Sequence, residues 1–102
     1  MEFWFKNKEL EKLYTAGKSR KYRLPEDITD RFFARIQQIE AAVVIHDLWN
    51  DKGLNIEKLQ GYDDRFSIRL NNKYRLEVTI DWLNAEKTIG EFAIVELSIH
   101  YA

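Results

Sequence analysis

The clearest pattern along the chain is an alternation of apolar and polar residues between Gly61 and Ile80. Apolar residues occupy every second position on either side of a short polar turn: Phe66, Ile68, Leu70, Tyr74, Leu76, Val78 and Ile80. A period of two predicts β-strands. The joint, Asn71-Asn72, predicts a tight hairpin because Asn adopts positive φ at lower cost than other non-glycine residues. The chain is therefore expected to be organised around a hairpin with one apolar side.

The other side of this hairpin is polar, and it is cationic near the turn. The alternation places these residues there: Arg65, Ser67, Arg69, Lys73, Arg75, Glu77 and Thr79. Guanidinium groups bind phosphate oxygens through paired, charge-assisted hydrogen bonds. A sheet face that carries several arginines and is not covered by a helix is thus a candidate phosphate-binding surface.

Two helices are predicted before the hairpin, after an opening strand at Glu2–Phe5. Asn7 is a good N-cap for the first helix and Gly17 a good stop signal. Pro25 begins the second, longer helix. Its apolar residues recur every three or four positions, which predicts a helix facing the sheet: Ile28, Phe32, Ile36, Ile39, Val43 and Leu48.

The chain after the second helix is predicted to be mainly β-structure. Residues 54–60 form a connector or a short strand, and the last strand runs from Glu91 to Tyr101. Alternation along this strand gives one face to Ala93, Val95, Leu97 and Ile99. If that face is buried, His100 shares the face of the arginines. The predicted fold is α+β, a small, twisted, mainly antiparallel sheet with two N-terminal helices packed on one face.

Composition limits the number of domains and the kinds of binding site that the chain can form. The 102 residues fit a single domain, residues 1–102. The chain has no cysteine and two histidines, which disfavours a zinc site, and no cofactor or metal is predicted. A net charge of −1 limits any nucleic-acid contact to a local surface. No signal peptide or membrane span is recognisable, so a cytoplasmic location without membrane contact is expected.

One further charged segment has two interpretations that the sequence leaves open. Four of the six residues from Lys18 to Arg23 are cations, and the segment lies between the two predicted helices. It is either a solvated loop or a contact for nucleic acid or a protein partner.

The hairpin and its surroundings resemble the HigB-type toxins of the RelE/ParE superfamily. The resemblance rests on two helices before the sheet, the segment Leu59–Gly61 leading into the hairpin, and a C-terminal His/Tyr pair. Its most specific part is Phe66-Ser67-Ile68, a polar turn, and Tyr74-Arg75-Leu76. The resemblance covers nearly the whole chain.

This resemblance implies a bacterial type II toxin. Such a toxin is neutralised by a cognate helix-turn-helix antitoxin similar to HigA, and the complex binds operator DNA through the antitoxin. Toxins similar to HigB enter the ribosome and cut the mRNA there, without a metal. Two alternatives stay open: a ParE-like toxin that inhibits DNA gyrase by binding, and a degenerate member that binds only antitoxin and DNA.

Cleavage by attack of the 2′-hydroxyl on the adjacent phosphate needs a base, cations for the transition state, and an acid. Arg75 matches the family's arginine after the aromatic residue, and His100 with Tyr101 is the candidate acid and base. The candidate RNA-binding residues are Lys58, Arg65, Arg69 and Lys73. Many family members end in Asp-Tyr-His, whereas this chain has Ile99 before its His-Tyr pair.

Overall fold

The computed structural model describes residues 1–99. Over this range the chain forms three helices and one five-stranded sheet, so the α+β prediction is confirmed. The elements in chain order are β1 (Phe3–Phe5), α1 (Lys8–Ala16), α2 (Glu26–Ala41), α3 (His46–Trp49), β2 (Glu57–Lys58), β3 (Arg65–Arg69), β4 (Tyr74–Trp82) and β5 (Gly90–Ile99).

The sheet is mainly antiparallel, with the strand order β1-β5-β4-β3-β2. Among the strands of residues 1–99, β1 alone runs parallel to its neighbour, β5. Both edge strands are short, three residues in β1 and two in β2, which limits the unpaired backbone that an edge exposes. The predicted hairpin, β3 and β4, therefore lies inside the sheet together with β5.

The first helix follows the predicted capping. The side-chain oxygen of Asn7 accepts hydrogen bonds from the backbone N–H groups of Glu9 (3.0 Å) and Leu10 (3.2 Å). At the other end Gly17 adopts a left-handed conformation with φ of 77°, and its N–H bonds to the carbonyl of Leu13. Both ends of α1 are thus capped by the residues that the sequence predicted, Asn7 and Gly17.

The second helix is shorter than the predicted stripe, which was expected to continue through Val43 to Leu48. α2 ends at Ala41, and Val43, which was expected in the core stripe, is 76% exposed. The carboxylate of Asp47 accepts hydrogen bonds from the N–H groups of Val44 (3.1 Å) and Val43 (2.9 Å), and these bonds lower the pKa of its carboxyl group. Because an Asp side chain can replace a helical carbonyl as acceptor, the chain turns here and then begins α3.

The hairpin forms as predicted, but its turn uses a different device. Neither Asn71 nor Asn72 has positive φ; among non-glycine residues that conformation occurs at Asn55, Asp64 and Lys87 within the described range. Instead, the side-chain oxygen of Asn71 accepts hydrogen bonds from the N–H groups of Lys73 (2.8 Å) and Tyr74 (2.7 Å). A side-chain turn of this kind is the other reason for which Asn is favoured in turns.

The last strand contains a β-bulge that the alternation did not reveal. Glu77 lies opposite Glu96, whereas Val78 lies opposite Ile94, so Val95 is an extra residue on β5. A bulge reverses which side chains face the core. Ile94 is therefore fully buried before the bulge and Leu97 is buried after it, and the expectation of one buried face through Val95 is wrong.

The core lies between one face of the sheet and the helices. It combines the predicted apolar residues of the hairpin with buried residues from all three helices, such as Leu13, Phe32 and Leu48. Because the helices pack on this face, none of those in residues 1–99 covers the opposite face. None of them is long and apolar enough to span a membrane.

The break after α2 gives a testable contrast between two residues four positions apart. Ile39→Ala removes a side chain that is 1% exposed and is expected to lower the free energy of unfolding by about 2–5 kcal/mol, since it leaves a cavity. Val43→Ala is expected to change it by less than about 0.5 kcal/mol. Urea denaturation of both variants measures the difference, and equal losses would indicate a continuous helix.

Candidate functional site

The sheet face opposite the core, called the open face below, carries the polar side of the hairpin. Strand register arranges these side chains in three rows across β3, β4 and β5: Arg69–Arg75–Ser98, Ser67–Glu77–Glu96 and Arg65–Thr79–Ala93. The first row lies at the hairpin turn, and the others follow away from it. Charge therefore changes from row to row along the face.

The centre of the open face is an ion cluster. Glu77 and Glu96 lie directly opposite each other on neighbouring strands, an arrangement that costs stability unless a cation intervenes. Arg65, diagonal to Glu77, contacts it at 2.8 Å through Nη2 and at 3.0 Å through Nε, and reaches Glu96 at 3.3 Å. The Arg65 guanidinium also lies over the Tyr62 ring, 4.5 Å from its centroid. Two carboxylates and one guanidinium leave this centre without an excess of positive charge.

The sequence pattern did not predict this ion cluster. The alternation placed Arg65 and Glu77 on one face, but the position of Glu96 depends on the bulge at Val95. Arg65 and Glu77 are also well covered, with 15% and 14% of their side chains exposed. Arg65 is thus held by two carboxylates, and this geometry gives no support to the RNA contact predicted for it.

The hairpin end of the open face is different, because two arginines meet there. Arg69 and Arg75, called the arginine pair below, lie directly opposite each other. Arg69 donates to the side-chain oxygen of Asn72, while Arg75 donates to the backbone carbonyls of Asn71 and Tyr74. These acceptors are uncharged, so they orient the guanidinium groups without neutralising them.

The positive charge of the arginine pair is therefore uncompensated within the described part of the chain. Residues 1–99 contain no ion pair between either arginine and a carboxylate. Like charges directly opposite on a sheet are destabilising. Lys73 adds a third cation at this end, in the turn, with Nζ 5.4 Å from the centroid of the Tyr74 ring. An anion such as a phosphate would relieve the repulsion.

The backbone beneath the arginine pair is fixed by α2. Arg31 donates to the carbonyl of Leu70 (3.0 Å), and Arg35 donates to the carbonyls of Arg69 (3.0 Å) and Gly53 (3.3 Å). Burial lowers the pKa of the Arg35 guanidinium. The helix that fills the core thereby also holds the end of β3 on which Arg69 sits.

The remaining predicted site residues are not brought to the arginine pair. Lys58 lies opposite Phe66, a core residue, so register puts Lys58 on the core side of the sheet, exposed at its edge, and Glu57 takes the open-face position. His100 and Tyr101 lie outside the described residues. Within residues 1–99, no group of three or more histidine or acidic side chains is placed to hold a metal ion. The open face offers guanidinium groups for an anion, with carboxylates beside them.

The ion cluster predicts that Arg65 has a structural role. Arg65→Met leaves two facing glutamates, one of them well covered, and is expected to lower the free energy of unfolding by about 1–3 kcal/mol. Arg65→Met/Glu77→Leu, which removes both partners, is expected to recover part of that loss, with a coupling of about 0.5–3 kcal/mol. Urea denaturation of the two single variants and the double variant measures this coupling.

Lys12→Met is the matched control, because it removes a cation from an exposed ion pair with Glu9. Its effect is expected to stay below about 0.5 kcal/mol. An Arg65→Met variant as stable as Lys12→Met would show that the ion cluster contributes nothing to the fold.

Comparisons with known proteins agree with this architecture. A search of curated protein sequences finds no match. Among solved structures, the chain is similar to a YoeB/ParE toxin from Agrobacterium tumefaciens, with a TM-score of 0.58 over 99% of this chain and 100% of that one. The two share 10% sequence identity, so this likeness shows the fold alone.

A family model supplies the assignment that the structural likeness does not. It is the model of the HigB-like toxins, and it matches residues 3–92, which include α1, α2, the hairpin and the start of β5. The match thus covers both the core helices and the strands that carry the arginine pair. The chain belongs to the HigB-like toxins, the RelE-like toxins of type II toxin–antitoxin systems.

Proposed function

We propose that this toxin is a ribosome-dependent mRNA endonuclease whose site is the hairpin end of the open face. The observation that carries the proposal is the arginine pair, in which Arg69 and Arg75 are directly opposite each other and are held only by uncharged acceptors within the described residues. Such a pair suits an anionic substrate, since phosphate offsets the repulsion between the two guanidinium groups.

The proposed reaction is attack of a 2′-oxygen on the adjacent phosphorus. A bond forms between them, the bond from phosphorus to the 5′-oxygen breaks, and the products are a 2′,3′-cyclic phosphate and a 5′-hydroxyl. Negative charge grows on the phosphate oxygens in the transition state, where fixed cations lower the barrier most. Arg75 is assigned this role, and Arg69 and Lys73 hold the RNA backbone beside it.

His100 and Tyr101 are the proposed proton-transfer groups. An imidazole with an ordinary pKa of about 6.5 can accept or donate a proton near neutral pH. Both residues directly follow β5, whose Ser98 lies opposite Arg75. His100 is assigned as acid or base, and Tyr101 as its support.

Dependence on the ribosome fits the charge distribution. The chain has a net charge of −1, and the centre of the open face is occupied by the Arg65 ion cluster. Free RNA is bound mainly through many phosphate contacts. A message already held by the ribosome needs only a small cationic site, which the arginine pair and Lys73 supply. Arg65 and Lys58 have no part in the proposed site, because one is paired and the other is on the opposite face.

A gyrase-binding toxin is the second candidate. The observation that favours it is Glu96, whose side chain is 51% exposed in the middle of the open face and repels phosphate. A mixture of Glu96, Arg65 and the arginine pair suits a protein surface of alternating charge.

The family implies an antitoxin partner. We propose that this partner is a HigA-like helix-turn-helix protein, and that the complex binds operator DNA through it. The site of action is the cytoplasm, where the ribosomes are.

Induction in cells with mapping of RNA 5′ ends tests the proposal. The wild-type chain is expected to arrest growth and to create new ends within translated messages. Arg75→Ala is expected to reduce those cuts about 10²–10³-fold, as loss of a donor to a developing oxyanion does. His100→Ala is expected to reduce them about 10²–10⁴-fold, as loss of a general acid or base does.

The matched control is Lys52→Ala, which removes an exposed cation outside the sheet and is expected to cut like the wild type. Growth arrest without new RNA ends would move the assignment to gyrase binding. Undiminished cutting by Arg75→Ala would exclude the arginine pair as the site.

A further inference from the structure

The end of the open face away from the hairpin turn is acidic. Asp81 of β4 lies directly opposite Glu91 of β5, and these two carboxylates are called the acidic pair below. Glu2 lies beside them, because it precedes Phe3, the partner of Phe92, and its carbonyl accepts a hydrogen bond from the Phe92 N–H (3.0 Å). Residues 1–99 contain no ion pair to any of the three carboxylates. The acidic pair, like the arginine pair, is a destabilising arrangement that an opposite charge would relieve.

The two like-charge pairs lie on the same strands but are far apart. Arg75 and Asp81 are six residues apart on β4, which separates them by about 20 Å along the strand. This distance is too long for the two side chains to meet within one copy of the chain. The open face therefore carries unpaired positive charge at one end and unpaired negative charge at the other, and only another molecule can join them.

A second copy of the chain has the charges that this surface lacks. A two-fold axis that lies between two open faces, perpendicular to β4 at Val78, places Arg75 of each copy over Asp81 of the other. One operation pairs both ends, because a two-fold interface uses the same surface on both copies. Sheets that pack face to face are about 10 Å apart, a gap that an arginine from one sheet and an aspartate from the other can bridge. At the crossing angle of about 30° of aligned sheets, the guanidinium reaches either Asp81 or Glu91, and both are acidic.

An exposed tryptophan lies on the same face. Trp4 of β1, which pairs with Ala93, is 48% exposed, whereas its neighbours Phe3 and Phe5 pack against the core. Tryptophan is enriched where proteins contact each other. Lys6 follows two residues later on the same side of the chain and is exposed. The two-fold axis brings Lys6 of one copy to the Trp4 ring of the other, where the cation and the ring attract each other.

We propose that two copies of the toxin associate open face to open face, and that this dimer covers the arginine pair. Strands β4 and β5 have nine and ten residues in a sheet of five strands, so the face measures about 30 Å by 24 Å, or about 700 Å² per copy. A standard interface buries about 800 Å² per partner. A contact of this size between charged groups forms reversibly and weakens with salt. The contact rests on the charges of the described residues, whereas its effect on RNA cleavage rests on the proposed function.

The test is sedimentation equilibrium of the purified toxin at low salt, with the two charges reversed one at a time. Arg75→Asp and Asp81→Arg each place like charges at both contacts, so each variant alone is expected to dimerise at least about 100-fold more weakly than the wild type. An equimolar mixture of the two variants restores opposite charges at both contacts. It is expected to form a heterodimer with about the affinity of the wild-type dimer.

Lys52→Asp and Glu40→Arg are the matched controls, because they reverse the same charges at exposed positions outside the open face. Each is expected to dimerise within about twofold of the wild type. If Arg75→Asp does not fold, Arg69→Asp takes its place in the mixture, since Arg69 lies directly opposite Arg75.

Three outcomes would each overturn the proposal: a wild type that stays monomeric, single variants that dimerise as the wild type does, or a mixture that stays monomeric. A monomeric wild type that binds polylysine, and loses this binding in Asp81→Arg, would assign the acidic pair to a basic partner instead of a second copy.

A short single-stranded RNA tests whether the dimer covers the arginine pair. Added to the wild-type dimer, it is expected to produce monomers with bound RNA, because the RNA and the second copy compete for the same guanidinium groups. A dimer that binds RNA without dissociating would show that the interface lies elsewhere. Absence of RNA binding together with missing cuts in cells would count against the proposed function alone, since the mixing experiment needs no RNA.

Discussion

The register between β3 and β4 determines both which side chains fill the core and which cations meet on the open face. A shift of β3 by one residue relative to β4 would turn Phe66 and Ile68 to solvent and Arg65 and Arg69 to the core. Burial of the apolar face against α2 therefore selects this register. The same register places Arg69 opposite Arg75, so the packing of the core also creates the concentration of positive charge at the hairpin end.

Within residues 1–99, the charges on the open face are paired at its centre and uncompensated at the hairpin end. Arg65 neutralises the facing glutamates in the centre, where a repulsive pair would otherwise lie. The arginine pair is oriented by the turn and supported from below by Arg35, which holds the Arg69 carbonyl. Pre-organised cations of this kind need little rearrangement when charge develops on a bound phosphate. A chain that is nearly neutral overall can thus carry a local anion site.

The sequence was informative where a single periodicity decided the structure. The hairpin, the capped helix α1 and the apolar stripe of α2 from Ile28 to Ile39 follow from spacings of two and of three to four residues, and the structure confirms them. Three other features depend on hydrogen bonds and strand pairing that the spacing of apolar residues does not show. Asp47 ended the helical stripe by binding two backbone N–H groups. The bulge at Val95 exchanged the faces of β5, and the side chain of Asn71 formed the turn without positive φ.

The candidate site was also only partly predictable from the sequence. Alternation placed Arg65, Arg69 and Arg75 on one face, but which of them is neutralised depends on Glu96, and the position of Glu96 depends on the bulge. Lys58 was assigned because similar toxins carry a basic residue in the segment before the hairpin, whereas pairing with Phe66 puts it on the other face. Sequence patterns thus identified the cationic strands, and long-range pairing decided which cations remain uncompensated.

The most direct measurement is cleavage, on purified ribosomes, of a message with a single 2′-deoxyribose at the cut position. We expect the all-ribose message to be cut only in the presence of ribosomes and to leave a 2′,3′-cyclic phosphate. The deoxy-substituted message should stay intact at that position, because the attacking oxygen is missing. Equal cleavage of both messages would contradict attack by the 2′-hydroxyl and the roles assigned to the open face.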